Sequence, residues 1–132
     1  MIARLALAVL AAAAAGCAAG PRVNRDEMFV RSVLDSAAQQ VQRCYRFPRV
    51  SHEGRQIITR LRVRVQPDGS LGGLPEVVEQ TAVTPANRIQ AQAMAAAAIN
   101  AVLGCAPLRL PSDVYFQGSV EIDLVFAPLA RA

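Results

Sequence analysis

The chain of 132 residues is 53% hydrophobic and 18% charged. That length favours a single domain, and the hydrophobic fraction excludes an intrinsically disordered chain. The 14 basic residues are all Arg, and the formal net charge of +4 is too small to indicate a nucleic-acid-binding protein.

Residues 1–19 have the layout of a secretory signal peptide. Arg4 precedes an apolar, Ala-rich run, and small residues follow it. Cleavage after Ala19 would release a soluble periplasmic protein. The alternative is a lipobox that ends at Cys17, which would make Cys17 a lipidated N-terminus, although Ala14 stands where Leu is usual. Both alternatives predict export to the periplasm, and the second adds a membrane anchor.

A first helix is predicted over residues 25–44, after a short tether at residues 20–24. Apolar side chains recur there at three- and four-residue steps, the period of one buried helix face. They are Val30, Val33, Leu34, Ala37, Val41 and Cys44.

Two strands joined by a tight turn are predicted next. Residues 57–65 alternate apolar with polar side chains, the pattern of a strand with one buried and one solvated face. Residues 67–70, Pro-Asp-Gly-Ser, predict the turn. Residues 74–80 form a weaker strand, for which Gly72, Gly73 and Pro75 favour an edge position, because Pro cannot donate to a central ladder.

A second helix and a third strand complete the chain. Thr84 as N-cap and Pro85 at the first helical position predict where the helix begins, and Gly104 predicts where it ends. Residues 120–126 alternate again and predict the third strand.

The element order α-β-β-α-β predicts an α+β fold. Strands one and two form an antiparallel hairpin, and a helical crossover favours parallel direction between strands two and three. We therefore expect a three-stranded antiparallel sheet in the spatial order 2-1-3, packed on two helices. Arg60, Arg62 and Arg64 of strand one would then lie beside Glu121 and Asp123 of strand three. We interpret these arginines as a solvated, neutralised face; an anionic-ligand site is the alternative.

Motifs for catalysis are scarce. His52 is the only His, and the carboxylates and cysteines lack metal-ligand spacing. We therefore expect no enzyme activity, no metal, no cofactor and no small-molecule substrate. A Cys44–His52 nucleophile pair is the enzymatic alternative. Cys44 and Cys105 each end a predicted helix, and an oxidising compartment favours a disulfide between them. The alternative is two buried free thiols.

Several segments in order carry a family resemblance. They are VQRCY at 41–45, RVRVQPDGS at 62–70, PEVV at 75–78, LGCAPL at 103–108, LPSDVY at 110–115 and VEIDLVFAP at 120–128. This arrangement resembles the C-terminal domain of TolA and the wider TonB/TolA C-terminal superfamily, over about residues 26–128.

The resemblance implies a non-enzymatic protein-interaction domain of the Gram-negative cell envelope. It also implies a disulfide between Cys44 and Cys105, and envelope proteins of the Tol-Pal or outer-membrane type as partners. TolA and TonB proteins join a motor complex through a membrane helix and a long spacer. Here the domain, residues 25–128 with a tail at 129–132, begins close to the cleavage site, so we expect a stand-alone domain. A purely structural envelope lipoprotein is the alternative.

The third strand is the predicted partner-binding edge, with Val120, Ile122, Leu124 and Phe126 as its candidate residues. Residues 120–126 contain no Pro and keep every backbone donor, so the edge is a template for an added strand. TolA-like domains are expected, by resemblance, to bind in this way. The alternative is that residues 128–132 or the loop around Tyr115 cover the edge.

Overall fold

A computed structural model describes residues 25–127 of the protein. The elements are α1 (Arg25–Gln42), β1 (Ile58–Val65), β2 (Glu76–Thr81), α2 (Arg88–Cys105) and β3 (Val120–Phe126), with short 3-10 turns at Gly54–Gln56 and Ser112–Tyr115. This order confirms the predicted α-β-β-α-β arrangement. The predicted signal peptide, the lipidation candidate Cys17 and the predicted tail lie outside the described residues.

The sheet has the predicted order, with β1 in the centre. It runs β2-β1-β3, and both neighbours are antiparallel to β1. Thr59, Leu61, Val63 and Val65 are buried, while the residues between them are exposed. The two-residue alternation in the sequence therefore reports one buried and one solvated face of the strand.

Both helices cover the buried face of the sheet. Side chains of α1, α2, β1 and β3 share one core with Leu108: Ala37, Val41, Leu61, Val63, Val65, Ala98, Ala101, Val102, Ile122 and Leu124. The Ala side chains of α2 are small, so its backbone lies close to the sheet. Val30 was expected on the buried stripe of α1, but its side chain is 55% exposed, because the stripe reaches the sheet only from Val33 onward.

The predicted start of α2 is wrong, and the helix ends one residue beyond the predicted stop. The helix begins at Arg88 with Asn87 as N-cap, not at Thr84. The Asn87 side chain is buried and holds the preceding loop: its Oδ1 accepts a bond from Thr84 N–H at 2.7 Å, and its Nδ2 donates to Ala82 C=O at 2.9 Å. Gly104 does not stop the helix, which continues to Cys105. Ala106 is extended there because it precedes Pro107.

The arginines of β1 lie beside carboxylates, as predicted. Arg62 Nε binds Asp123 Oδ1 at 3.1 Å, and Arg64 binds Glu121 at 2.6 Å. These side chains are about half exposed, so solvent screens the pairs and they contribute little to stability. The neighbouring pair Arg60–Glu79, at 3.3 Å, joins β1 to β2. The solvated face of the sheet is therefore neutralised across all three strands.

A disulfide and a side-chain clamp tie α1 to the end of α2. Cys44 is bonded to Cys105, with 5.7 Å between their Cα atoms, which confirms the predicted bridge. One turn earlier, Gln40 Nε2 donates to Arg109 C=O at 2.7 Å, and Gln40 Oε1 accepts from Arg109 N–H at 2.7 Å. The C-terminal half of α1 is therefore fixed beside the sheet.

Candidate functional site

The outer edge of β3 is open along its whole length. Within residues 25–127, β3 pairs with β1 alone, from Val65↔Val120 to Thr59↔Phe126, without a break in register. No backbone hydrogen bond from the 3-10 turn Ser112–Tyr115, or from any described segment other than β1, reaches β3. The described residues therefore leave this strand free to accept a neighbour.

The free edge presents the backbone groups of alternate residues. In an antiparallel sheet, successive residues direct their N–H and C=O to opposite sides of the strand. Arg64 C=O accepts a bond from Gly72 N–H at 2.8 Å on the β2 side of β1. The odd-numbered residues of β1 therefore face β3, and their partners in the register are Val120, Ile122, Leu124 and Phe126. It follows that Glu121, Asp123 and Val125 direct their backbone groups outward.

The four predicted edge residues therefore pack against the core and bond to β1, and they do not present their backbone groups at the free edge. Ile122 and Leu124 are 6% and 4% exposed, and Val120 and Phe126 pack partly buried against the same core. Their backbone groups bond to β1 and their side chains face the helices. The residues that carry the free backbone groups, Glu121, Asp123 and Val125, were not among the predicted site residues. The alternation in the sequence separates the even-numbered from the odd-numbered residues of β3, but it does not say which of them direct their backbone groups to β1 and which to the free edge.

Two separate pockets, together called the groove, border the open edge between β3 and α1. The first section has a volume of about 650 Å³ and lies between Phe29, Val30 and the start of β3 at Val120. The second section, about 700 Å³, lies between Gln42 and the end of β3 at Phe126. Since β3 has seven residues, an added strand of equal length would extend about 23 Å.

Apolar side chains line the groove on the α1 side and remain accessible. Phe29 is 38% exposed and Val30 55% exposed. At the other end, the rings of Tyr45 and Phe126 lie 5.4 Å apart between centroids and form an aromatic wall. Burial there raises the pKa of the Tyr45 hydroxyl. An extended peptide beside β3 would therefore place alternate side chains against an apolar surface.

The enzymatic alternative loses its nucleophile in this structure. Cys44 Sγ is bonded to Cys105, so it offers no thiolate. His52 lies exposed in a turn of the following loop. Among the described residues, no group of three or more His, Cys, Asp or Glu side chains is placed to hold a metal ion.

None of the helices between residues 25 and 127 is long and apolar enough to cross a membrane. Comparisons with protein-family models, with curated proteins and with solved structures found no match for this chain. The open β3 edge and its groove are therefore the features on which a function can be proposed.

Proposed function

We propose that this protein is a non-enzymatic protein-interaction domain of the cell envelope, which binds an extended segment of its partner by strand addition to β3. The open outer edge of β3 is the observation that supports this function most directly. The resemblance to TolA C-terminal domains adds the Gram-negative periplasm as the compartment, and envelope proteins of the Tol-Pal or outer-membrane type as partners.

The backbone of β3 offers the added strand a regular ladder. Glu121, Asp123 and Val125 each present one N–H donor and one C=O acceptor at the free edge, by the register with β1. Main-chain bonds of this kind provide affinity, and pockets for alternate side chains provide specificity. The groove between β3 and α1 supplies such pockets on the buried face of the sheet.

The proposal is tested by amide hydrogen exchange on the full chain. In the free protein, the amides of Glu121, Asp123 and Val125 should exchange faster than those of Ile122 and Leu124, which donate to β1. A bound partner should slow the first group and leave the second unchanged. Slowing confined to α2 or to β2 would contradict strand addition to β3.

A proline substitution tests the same edge by affinity. Val125→Pro removes one outward N–H, and the Val125 side chain is 58% exposed, so the core is left intact. The matched control Val125→Thr keeps the N–H at the same place. After thermal unfolding has shown that both variants fold, partner binding should be lost in Val125→Pro and retained in Val125→Thr. Equal binding by the two variants would exclude this edge as the site.

Attachment to a membrane is a separate part of the proposal. Lipidation at Cys17 would anchor the domain, whereas cleavage after Ala19 would leave it soluble in the periplasm. Cys17→Ser distinguishes the two: loss of lipid labelling together with release to the soluble fraction indicates the anchored form. An unmodified N-terminus at Gly20 would show the soluble form.

A further inference from the structure

An unpaired carboxylate and an exposed aromatic ring meet at one end of the groove. The 3-10 turn Ser112–Tyr115 precedes β3. Asp113 and Val114 in this turn, and Phe116 directly after it, line the section of the groove that borders Val120. The Phe116 side chain is 84% exposed. Neither the core nor the β1–β3 ladder accounts for these two exposed side chains.

Asp113 and Phe116 are placed to act on the same ligand group. They are three residues apart in a 3-10 turn that Phe116 continues with helical backbone angles, φ −60° and ψ −20°. Side chains three residues apart in such a turn lie on the same side of it. The Asp113 carboxylate takes part in no side-chain hydrogen bond or ion pair within residues 25–127.

The chemistry of this pair selects a planar cation. A guanidinium group forms charge-assisted bonds with a carboxylate, and it also stacks on an aromatic face. We propose that the partner strand carries an Arg at the end that lies beside Val120, with its guanidinium between Asp113 and the ring of Phe116. This inference rests on the proposed strand addition to β3 and specifies the chemistry of the segment that is added.

The surroundings of the pair favour a basic partner over an acidic one. The lining of this section contains the carboxylates of Asp113, Glu121 and Asp123 and a single basic side chain, Arg62; Glu121 is paired with Arg64, so of these three carboxylates Asp113 is the one without a cation. Arg62 is bound to Asp123 on the solvated face of the sheet. A second copy of this chain is disfavoured as the occupant, because residues 120–126 of its own β3 contain no Arg to bind Asp113.

The test uses a display library of random nine-residue peptides, selected on the full disulfide-bonded chain. Selected peptides should alternate apolar with polar residues and should be enriched in Arg at one end. Synthetic copies should slow amide exchange at Glu121, Asp123 and Val125. Replacement of the selected Arg by Gln should weaken binding about three- to five-fold, the size expected of an exposed ion pair with ring stacking.

Variants of the protein locate the Arg. Asp113→Asn and Phe116→Ala each remove one of the two contacts, so each should weaken binding of the Arg peptide about two-fold and leave the Gln peptide unaffected. The controls are Glu76→Gln, an exposed carboxylate on the opposite edge strand, and Ile89→Ala, a side chain 94% exposed on α2. Neither control should change the affinity of either peptide.

The outcomes separate this inference from the function on which it rests. The proposed Arg site at Asp113 and Phe116 is wrong, and strand addition stands, if peptides protect the β3 amides but show no preference for Arg. The same conclusion follows if the Arg peptide binds Asp113→Asn and the native protein with equal affinity. If no peptide is selected, or if the protected amides lie outside β3, both proposals are wrong. Enrichment of Glu or Asp at the end of the peptide that lies beside Val120 would also contradict the proposed Arg site.

Discussion

The two edge strands of the sheet differ in how regular an edge they present. β2 has six residues, none of them buried, and its register with β1 shifts between Arg60 and Leu61. β3 has seven residues in unbroken register with β1, and two of its side chains are buried in the core. Both strands border water, but only β3 offers a straight ladder backed by packed side chains.

This difference makes β3 the better template for an added strand. A bulge twists a strand and interrupts its ladder, so an added strand cannot stay in register with β2. The segment that leads into β2 contains Gly72, Gly73 and Pro75, which do not favour a regular strand. β3 has none of these features, and Phe29 and Val30 of α1 place exposed apolar side chains beside it.

The largest expected effect comes from the disulfide, which holds α1 on the β3 side. The bridge closes a separation of 61 residues, and the loop-entropy relation gives about 4 kcal/mol for such a loop. Cys44→Ser with Cys105→Ser should lower the free energy of unfolding by about that amount, measured in urea. Reduction of the native protein should have the same effect; an unchanged unfolding midpoint after reduction would contradict it.

A pair of truncations compares the two edges directly. Leu124→Ala on β3 should cost about 3 kcal/mol, because the side chain is 4% exposed and its removal leaves a cavity. Val77→Ala on β2 should cost less than about 1 kcal/mol, because that side chain is 38% exposed. Urea unfolding of both variants measures the difference. Equal losses would show that β2 depends on the core as much as β3 does.

A smaller effect is expected where a polar side chain, not the core, holds the end of β2. Asn87 is 1% exposed and donates from Nδ2 to Ala82 C=O, just after β2, and to Glu53 C=O at 2.8 Å. Asn87→Ala leaves these groups unpaired and should cost about 2 kcal/mol in unfolding free energy. Asn87→Asp keeps the acceptor for Thr84 but places a buried carboxylate oxygen against the carbonyl oxygens of Ala82 and Glu53, so it should lose more than Asn87→Ala. If both variants unfold like the native protein, water replaces the side chain at no cost.

The elements whose pattern depends on one periodic face were predicted well. Alternation located β1 within one residue and β3 at its observed limits, because a strand half buried in a sheet must alternate. The turn at residues 67–70 was also correct: Gly69 adopts φ 87°, and Asp68 Oδ1 accepts Ser70 N–H at 2.9 Å. That bond and one from the Ser70 hydroxyl lower the pKa of the Asp68 carboxyl.

The features that sequence analysis missed depend on contacts between distant segments. Thr84-Pro85 is a good local helix start, but the buried Asn87 amide instead bonds the backbone around it and delays the helix to Arg88. No local pattern in the sequence predicts that the Gln40 side chain bonds to the backbone of Arg109, since the two residues are far apart in the chain.

Sequence patterns were enough to predict the order of the elements and the buried face of each strand, and they made a disulfide between Cys44 and Cys105 one of two alternatives. Each of these depends on periodicity or on residue type. The folded sheet was needed to show which residues of β3 direct their backbone N–H and C=O to the free edge, because the alternation of side chains is the same whichever set bonds to β1. The bond from Gly72 N–H to Arg64 C=O shows that the even-numbered residues of β1 face away from β3. Together with the register between β1 and β3, it assigns the outward backbone groups to Glu121, Asp123 and Val125.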